Sequence, residues 1–247
     1  MIGEMQVSLV DHMGSDLSVV NAARVSFHKE SSWDIVGQIE HVCEESRSYE
    51  YEDVKAIKPG DAKLIAFLAR EKHELPFAHA TISLRIKAPI FVARQLGKHQ
   101  VGLVWNEVSR RYVSSEAEFY SPEVWRAKAE NVKQGSSVEE VVENLGYRGF
   151  CRANIHEAYQ GILDHAFDLY NNMIEEGVCP EQARMVLPQS MMTEWIWTGS
   201  LLAFARTCNL RLDSHTQKET QEVAQMISDI VGPLYPVSWA ALINERN

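Results

Sequence analysis

The chain has 247 residues, 45% hydrophobic and 23% charged, with a formal net charge of -10. That length can bury a full core as one large or two small domains, and the composition is that of a soluble globular protein. The acidic balance argues against a general nucleic-acid binder. No apolar run reaches the ~18–20 residues that cross a bilayer, and the N-terminus lacks a basic leader, so no membrane association and a cytoplasmic location are expected.

Residues 5–12 alternate weakly and read as an opening strand. Asp16 or Ser18 can cap a short helix through Val25, with Val19, Val20 and Ala23 on one face. The polar stretch 38–60, ending in Lys58-Pro59-Gly60, reads as loop or frayed helix. Asp61 is then the expected cap of a helix carrying Leu64, Ile65, Phe67 and Leu68 at helical period. Residues 79–87 alternate, with Ala80, Ile82, Leu84 and Ile86 on one face and Thr81, Ser83, Arg85 and Lys87 on the other, which predicts a half-buried strand. Pro89 suits the first position of a following helix, one that would carry Arg94 and Lys98 a turn apart.

Residues 114–138, rich in Ser, Glu and Lys, read as connecting loop. The clearest helix spans 155–176, with a stripe running from Ile155 through Ile162, Leu163 and Tyr170 to Ile174 and a stop at Gly177. Pro180 opens another helix ended by Pro188, and 191–197 alternate as a strand. Asp213 or Ser214 is the expected cap of a last long helix containing Val223, Met226, Ile227 and Ile230. The fold class expected is α+β, a small mixed or antiparallel sheet packed by several long helices. The whole of 1–247 is read as one catalytic domain, with loop-rich segments near 40–60 and 114–138.

The four cysteines, Cys43, Cys151, Cys179 and Cys208, are scattered without a CxxC pair and read as buried free thiols. His73 and His79 flank a turn but lack a third ligand, so no metal is expected. The densest chemistry lies in residues 89–112, PIFVARQLGKHQVGLVWNEVSRRY. Arg94, Gln95, Lys98, His99, Gln100, Arg110 and Arg111 sit within one helix and the loop after it. In an acidic chain, such a gathering of donors points to a local anion site.

This run resembles the signature of the flavin-dependent thymidylate synthases. That family's signature is Arg-His-Arg, seven residues, then Ser, within a stretch ending Asn-Glu-x-Ser-x-Arg-Tyr. Here the triplet is Lys98-His99-Gln100, eight residues precede Ser109, and the second part reads Asn106-Glu107-Val108-Ser109-Arg110-Arg111-Tyr112. Four more blocks resemble the family in the same order: GSDLSVVNAARVSF (14–27), HELPFAHATISLRIKAPIFVARQ (73–95), ARMVLP (183–188) and NLRLDSHTQ (209–217).

The resemblance implies reductive methylation of dUMP to dTMP. It brings FAD as cofactor, methylenetetrahydrofolate and NADPH as co-substrates, and a homotetramer whose active sites are shared between subunits. Arg211 matches the arginine that contacts the pyrimidine and favours its ionised form, the electrostatic role such a reaction needs. Taken alone, an arginine there is more often a surface ion pair. Gln95, Lys98, Glu107, Ser109, Arg110, Arg111 and Arg184 match other dUMP-binding positions. Lys98, His99, Gln100 and Glu107 match flavin contacts, as do Ser26, His73, His79, Ser200 and Arg206; Ser200 and Arg206 replace the family's common asparagines. Lys98 supplies charge without the arginine fork, and Gln100 supplies none. The alternative is a flavin or nucleotide binder on the same scaffold, catalytically weakened by those two changes.

Overall fold

The computed structural model describes residues 1–43, 48–111, 117–129, 136–147 and 151–243. Strand β1 (Gln6–Met13) leads into helix α1 (Asp16–Arg24), and β2 (Asp34–Cys43) and β3 (Ser48–Ala56) form an antiparallel hairpin. Helix α2 (Pro59–Arg70) and a 3-10 turn (Leu75–His79) precede β4 (Thr81–Pro89), α3 (Ile90–Leu96) and β5 (Leu103–Glu107). Two small hairpins follow: β6 (Arg126–Lys128) with β7 (Ser136–Val141), and β8 (Asn144–Tyr147) with β9 (Cys151–Asn154). The remainder is α4 (Ile155–Glu175), α5 (Pro180–Ala183), β10 (Met192–Ser200), α6 (Leu201–Arg211), α7 (Lys218–Leu234) and α8 (Pro236–Leu242).

The central sheet is antiparallel in the order β1-β4-β10-β5. Its β4 strand carries the expected alternation, with Ile82, Leu84 and Ile86 fully buried, as is Ala80 just before it. On β10, Trp195 lies opposite Ile86 and Trp197 opposite Leu84, so large apolar pairs meet across the ladder. Each such buried side chain contributes about 1.5–3 kcal/mol. Val19 and Val20 of α1, Ile65 and Leu68 of α2, Leu201 and Phe204 of α6, and Val223, Ile227 and Val231 of α7 close the same core. A smaller core under α4 gathers Ala117, Phe119, Leu163 and Met191.

Two buried acids tie the helices together. Asp16 is 1% exposed and accepts hydrogen bonds from the backbone N–H groups of Val237 (2.9 Å) and Ser238 (2.8 Å) in the first turn of α8. Those donors have no partner within their own helix, so a distant carboxylate satisfies them. Asp61 does not cap α2. Lys58 holds the cap position and Pro59 the first turn, while Asp61, 1% exposed, accepts from Arg24 and Ser31.

Several boundaries depart from the sequence reading. The stretch near 40–60 holds the β2–β3 hairpin and the start of α2 instead of a loop. Its strands read as loop because both faces are open: Ile35, Val36, Ile39, Tyr49 and Tyr51 are all exposed. Of the stretch 114–138, residues 114–116 and 130–135 lie outside the described residues, and the rest includes β6 and the start of β7. Pro89 is the cap of α3 rather than its first residue, and α3 ends before Lys98, which sits in the following turn. The loop expected after it contains β5. The helix from Pro180 is short and passes into a 3-10 turn (Arg184–Val186), so Arg184 is not mid-helix. Gln217, not Asp213 or Ser214, precedes α7. Cys208 is buried, whereas Cys179 is exposed.

Candidate active site

Two cavities open on either side of the turn after α3. The first, about 680 Å³, is lined by Ile90, Ala93, Arg94, Lys98, His99, Gln100, Leu103, Trp105 and Glu107. The second, about 650 Å³, is lined by Gln95, Lys98, Arg126, Ser136, Arg211, His215, Thr216, Gln217 and Lys218. Lys98 lines both.

The turn is placed by close backbone packing. Gly102 has a φ of +75°, in the left-handed region that favours glycine, and its carbonyl accepts the N–H of Ser200 at 3.1 Å. A Cβ on Gly199 would lie 2.6 Å from that carbonyl oxygen and 2.4 Å from Leu103 Cδ2. Only a glycine at the end of β10 lets the two segments approach this closely. β5 then docks on β10, with Trp105 stacked on Trp195 at a ring-centroid distance of 4.3 Å.

Arg211, in the last turn of α6, reaches back to this turn. Its Nε donates to His99 Nε2 at 2.9 Å, and its Nη2 donates to the Gln95 carbonyl oxygen at 3.1 Å. Partial burial, then the adjacent Arg211 charge, hold His99 below the usual imidazole range. Burial also lowers Arg211, which stays a cation because a guanidinium titrates far above neutral pH. Glu107 is held by two donors: Thr193 Oγ1 at 2.7 Å and Trp105 Nε1 at 3.2 Å.

Of the residues expected from sequence, Gln95, Lys98 and Arg211 meet in the second cavity, and Lys98, His99, Gln100 and Glu107 in the first. Arg111 Nε donates to Ser109 Oγ at 3.2 Å, and the Arg111 guanidinium lies 3.7 Å from Glu181 on α5. These two residues and Arg110 lie beyond β5, and Arg184, exposed, follows α5. None of the four lines either cavity. Among the flavin-side expectations, Ser200 Oγ accepts the Ala203 N–H at 3.2 Å and caps α6, and Arg206 pairs with Glu74. Ser26, His73 and His79 are exposed, and His73 packs edge-on against Phe67. The cavities also contain Arg126, Lys218 and Trp105, which the sequence reading missed. Arg126 lies in a stretch read as loop, and nothing in its local pattern marks it.

Residues 8–237 match the family model described as thymidylate synthase complementing protein. A flavin-dependent thymidylate synthase of Thermus thermophilus is 35% identical over 95% of this chain and 74% of its own length. The chain belongs to the flavin-dependent thymidylate synthases. The family's Thermotoga neapolitana member is 33% identical over 96% of the chain and 90% of its own. Among solved structures, the UMP/dUMP methylase PolB of Streptomyces cacaoi with bound 5-Br dUMP has a TM-score of 0.72 and 28% identity. It covers 97% of this chain and 95% of its own. The PolB complex with 5-Br UMP gives a TM-score of 0.69 at 26% identity. Within this α+β synthase the departures from the family signature, Lys98 and Gln100, both line the first cavity.

Proposed function

We propose that the protein converts dUMP to dTMP, with methylenetetrahydrofolate as one-carbon donor, FAD as cofactor and NADPH as reductant. The observation that carries this reading is the convergence of Arg211, His99, Gln95 and Lys98 at one turn between two cavities. These are the residues that the family resemblance assigns to nucleotide and flavin.

The residues of the first cavity fit a flavin. Ile90, Ala93, Leu103 and Trp105 offer apolar walls for a fused ring, and Arg94 and Lys98 offer cations for a pyrophosphate. Lys98, His99, Gln100 and Glu107 would hold it there. When bound and reduced, FAD supplies the hydride that completes the methyl group. The chain's own residues do the rest. The Arg211 guanidinium, fixed by two hydrogen bonds, stabilises negative charge on the uracil ring and so favours its nucleophilic form. Lys98 balances anionic groups in both compartments. Ser109 acts as a binding group, and no protein nucleophile is needed. The Cys208 thiol suits none, since complete burial pushes its pKa up.

Ser109, Arg110, Arg111 and Arg184 complete the nucleotide site from a neighbouring subunit of a homotetramer. Their separation from Gln95 and Arg211 within one chain supports this, as do the exposed Val101, Val104 and Met185 beside the two groups. The test is an absorbance spectrum of the protein with FAD, followed by anaerobic NADPH with and without dUMP. A bound-flavin spectrum that bleaches, faster or further with dUMP, followed by dTMP formation on adding the folate, is the expected result. Failure to retain flavin would point to the weakened binder instead.

A further inference from the structure

The hydrogen bonds beneath Gln95 form a chain with a single direction. Glu219 is 4% exposed in the first turn of α7. Its Oε1 accepts from Arg126 Nη2, and its Oε2 accepts from Gln217 Nε2 at 2.9 Å. Gln217 Oε1 in turn accepts from Gln95 Nε2, and Thr220 Oγ1 donates to Gln95 Oε1 at 3.2 Å. Burial pushes the Glu219 carboxyl up, but the bonds from Arg126 and Gln217 outweigh it and leave the group below its ordinary value, ionised at neutral pH.

An ionised carboxylate only accepts. It therefore draws the nitrogen end of the Gln217 amide, which turns the oxygen end toward Gln95. That oxygen draws Gln95 Nε2, and Thr220 secures the opposite end. Flipping either amide would set nitrogen against nitrogen or oxygen against oxygen. An amide nitrogen carries two N–H groups, and Gln217 takes one from Gln95. Gln95 also lines the cavity that holds Lys98 and Arg211.

We propose that Glu219 and Gln217 are positioning residues for the nucleotide: they fix the Gln95 amide so that it offers an N–H, not a carbonyl, to an acceptor oxygen of dUMP. The inference rests on the dUMP reading above.

The test is equilibrium binding of dUMP to the FAD-loaded protein, wild type against Gln217→Met, which keeps the Arg126–Glu219 pair and removes the relay. Binding weakens about tenfold, the loss of one aligned hydrogen bond. In a Gln95→Ala background the same substitution costs nothing further, because the relay acts only through Gln95. A Gln217→Met protein that binds dUMP like wild type, or one whose loss persists in the Gln95→Ala background, overturns the relay. Should Gln217→Met not fold, Thr220→Val serves: it frees the other end of the amide, and a few-fold weakening confined to the Gln95 background is expected. No dUMP binding by the wild type is a separate outcome, which sinks the functional reading and the relay with it.

Discussion

Arg211 Nε donates to His99 Nε2 over 2.9 Å, so the arginine proposed for the nucleotide leans on the middle residue of the triplet proposed for the flavin. The guanidinium is always protonated, so the imidazole must accept, with its own proton on Nδ1.

This arrangement has a pH consequence. Burial and the Arg211 charge hold the folded-state pKa of His99 below the ordinary 6.5. Between those two values the unfolded chain binds a proton that the folded chain refuses, so stability rises with pH. The contribution is fully present above pH ~6.5 and lost as pH falls through the folded value. Thermal midpoints measured from pH 5 to 8 should fall on the acid side of ~6.5, and His99→Asn should flatten part of that fall. An identical profile in the variant would refute the assignment.

Removing the guanidinium tests catalysis directly. Arg211→Ala should lower dTMP formation by about 10²–10³-fold, the cost of losing one charge-stabilising donor, while circular dichroism remains that of the wild type. Near-normal turnover would sink the role given to Arg211.

The first cavity, proposed to hold the flavin, can be tuned in the opposite sense. Lys98 and Gln100 lack the planar fork that holds phosphate oxygens in pairs. The double substitution Lys98→Arg with Gln100→Arg should tighten FAD binding several-fold in a fluorescence-quenching titration. Unchanged or weaker binding would mean that these side chains do not face the cofactor.

A fourth expectation concerns the scaffold. Burial raises the Asp61 carboxyl, but bonds from Ser31 and Arg24 carry it below the usual carboxylate range. Asp61→Ala strands Arg24 at the α1–α2 contact and should cost about 3 kcal/mol in urea denaturation. A loss under about 1 kcal/mol would show that water replaces the carboxylate without penalty.

Elements with one wet face were legible in the sequence. On β4, Ile82, Leu84 and Ile86 alternate with polar residues, and on α4 Leu163 and Tyr170 recur at helical spacing. Helix α6 has little such contrast, because Leu201 through Ala205, Thr207 and Cys208 are all buried, and so unbroken a buried run carries no stripe. The β2–β3 hairpin fails for the opposite reason, being exposed on both faces. Within the site, Gln95, Lys98 and His99 could be named because they fall in one short run. Arg126 could not, since its partner Glu219 lies 93 positions away along the chain.

The fit of Gly199 against the Gly102 carbonyl joins the turn bearing Lys98 and His99 to the helix bearing Arg211 without a pliable side chain between them. Contacts so tight transmit displacement instead of absorbing it. On the proposed function, a shift at one compartment would therefore reach the other. By thermodynamic reciprocity, whatever a flavin bound in the first would add to the affinity for a nucleotide in the second, the nucleotide would return to the flavin.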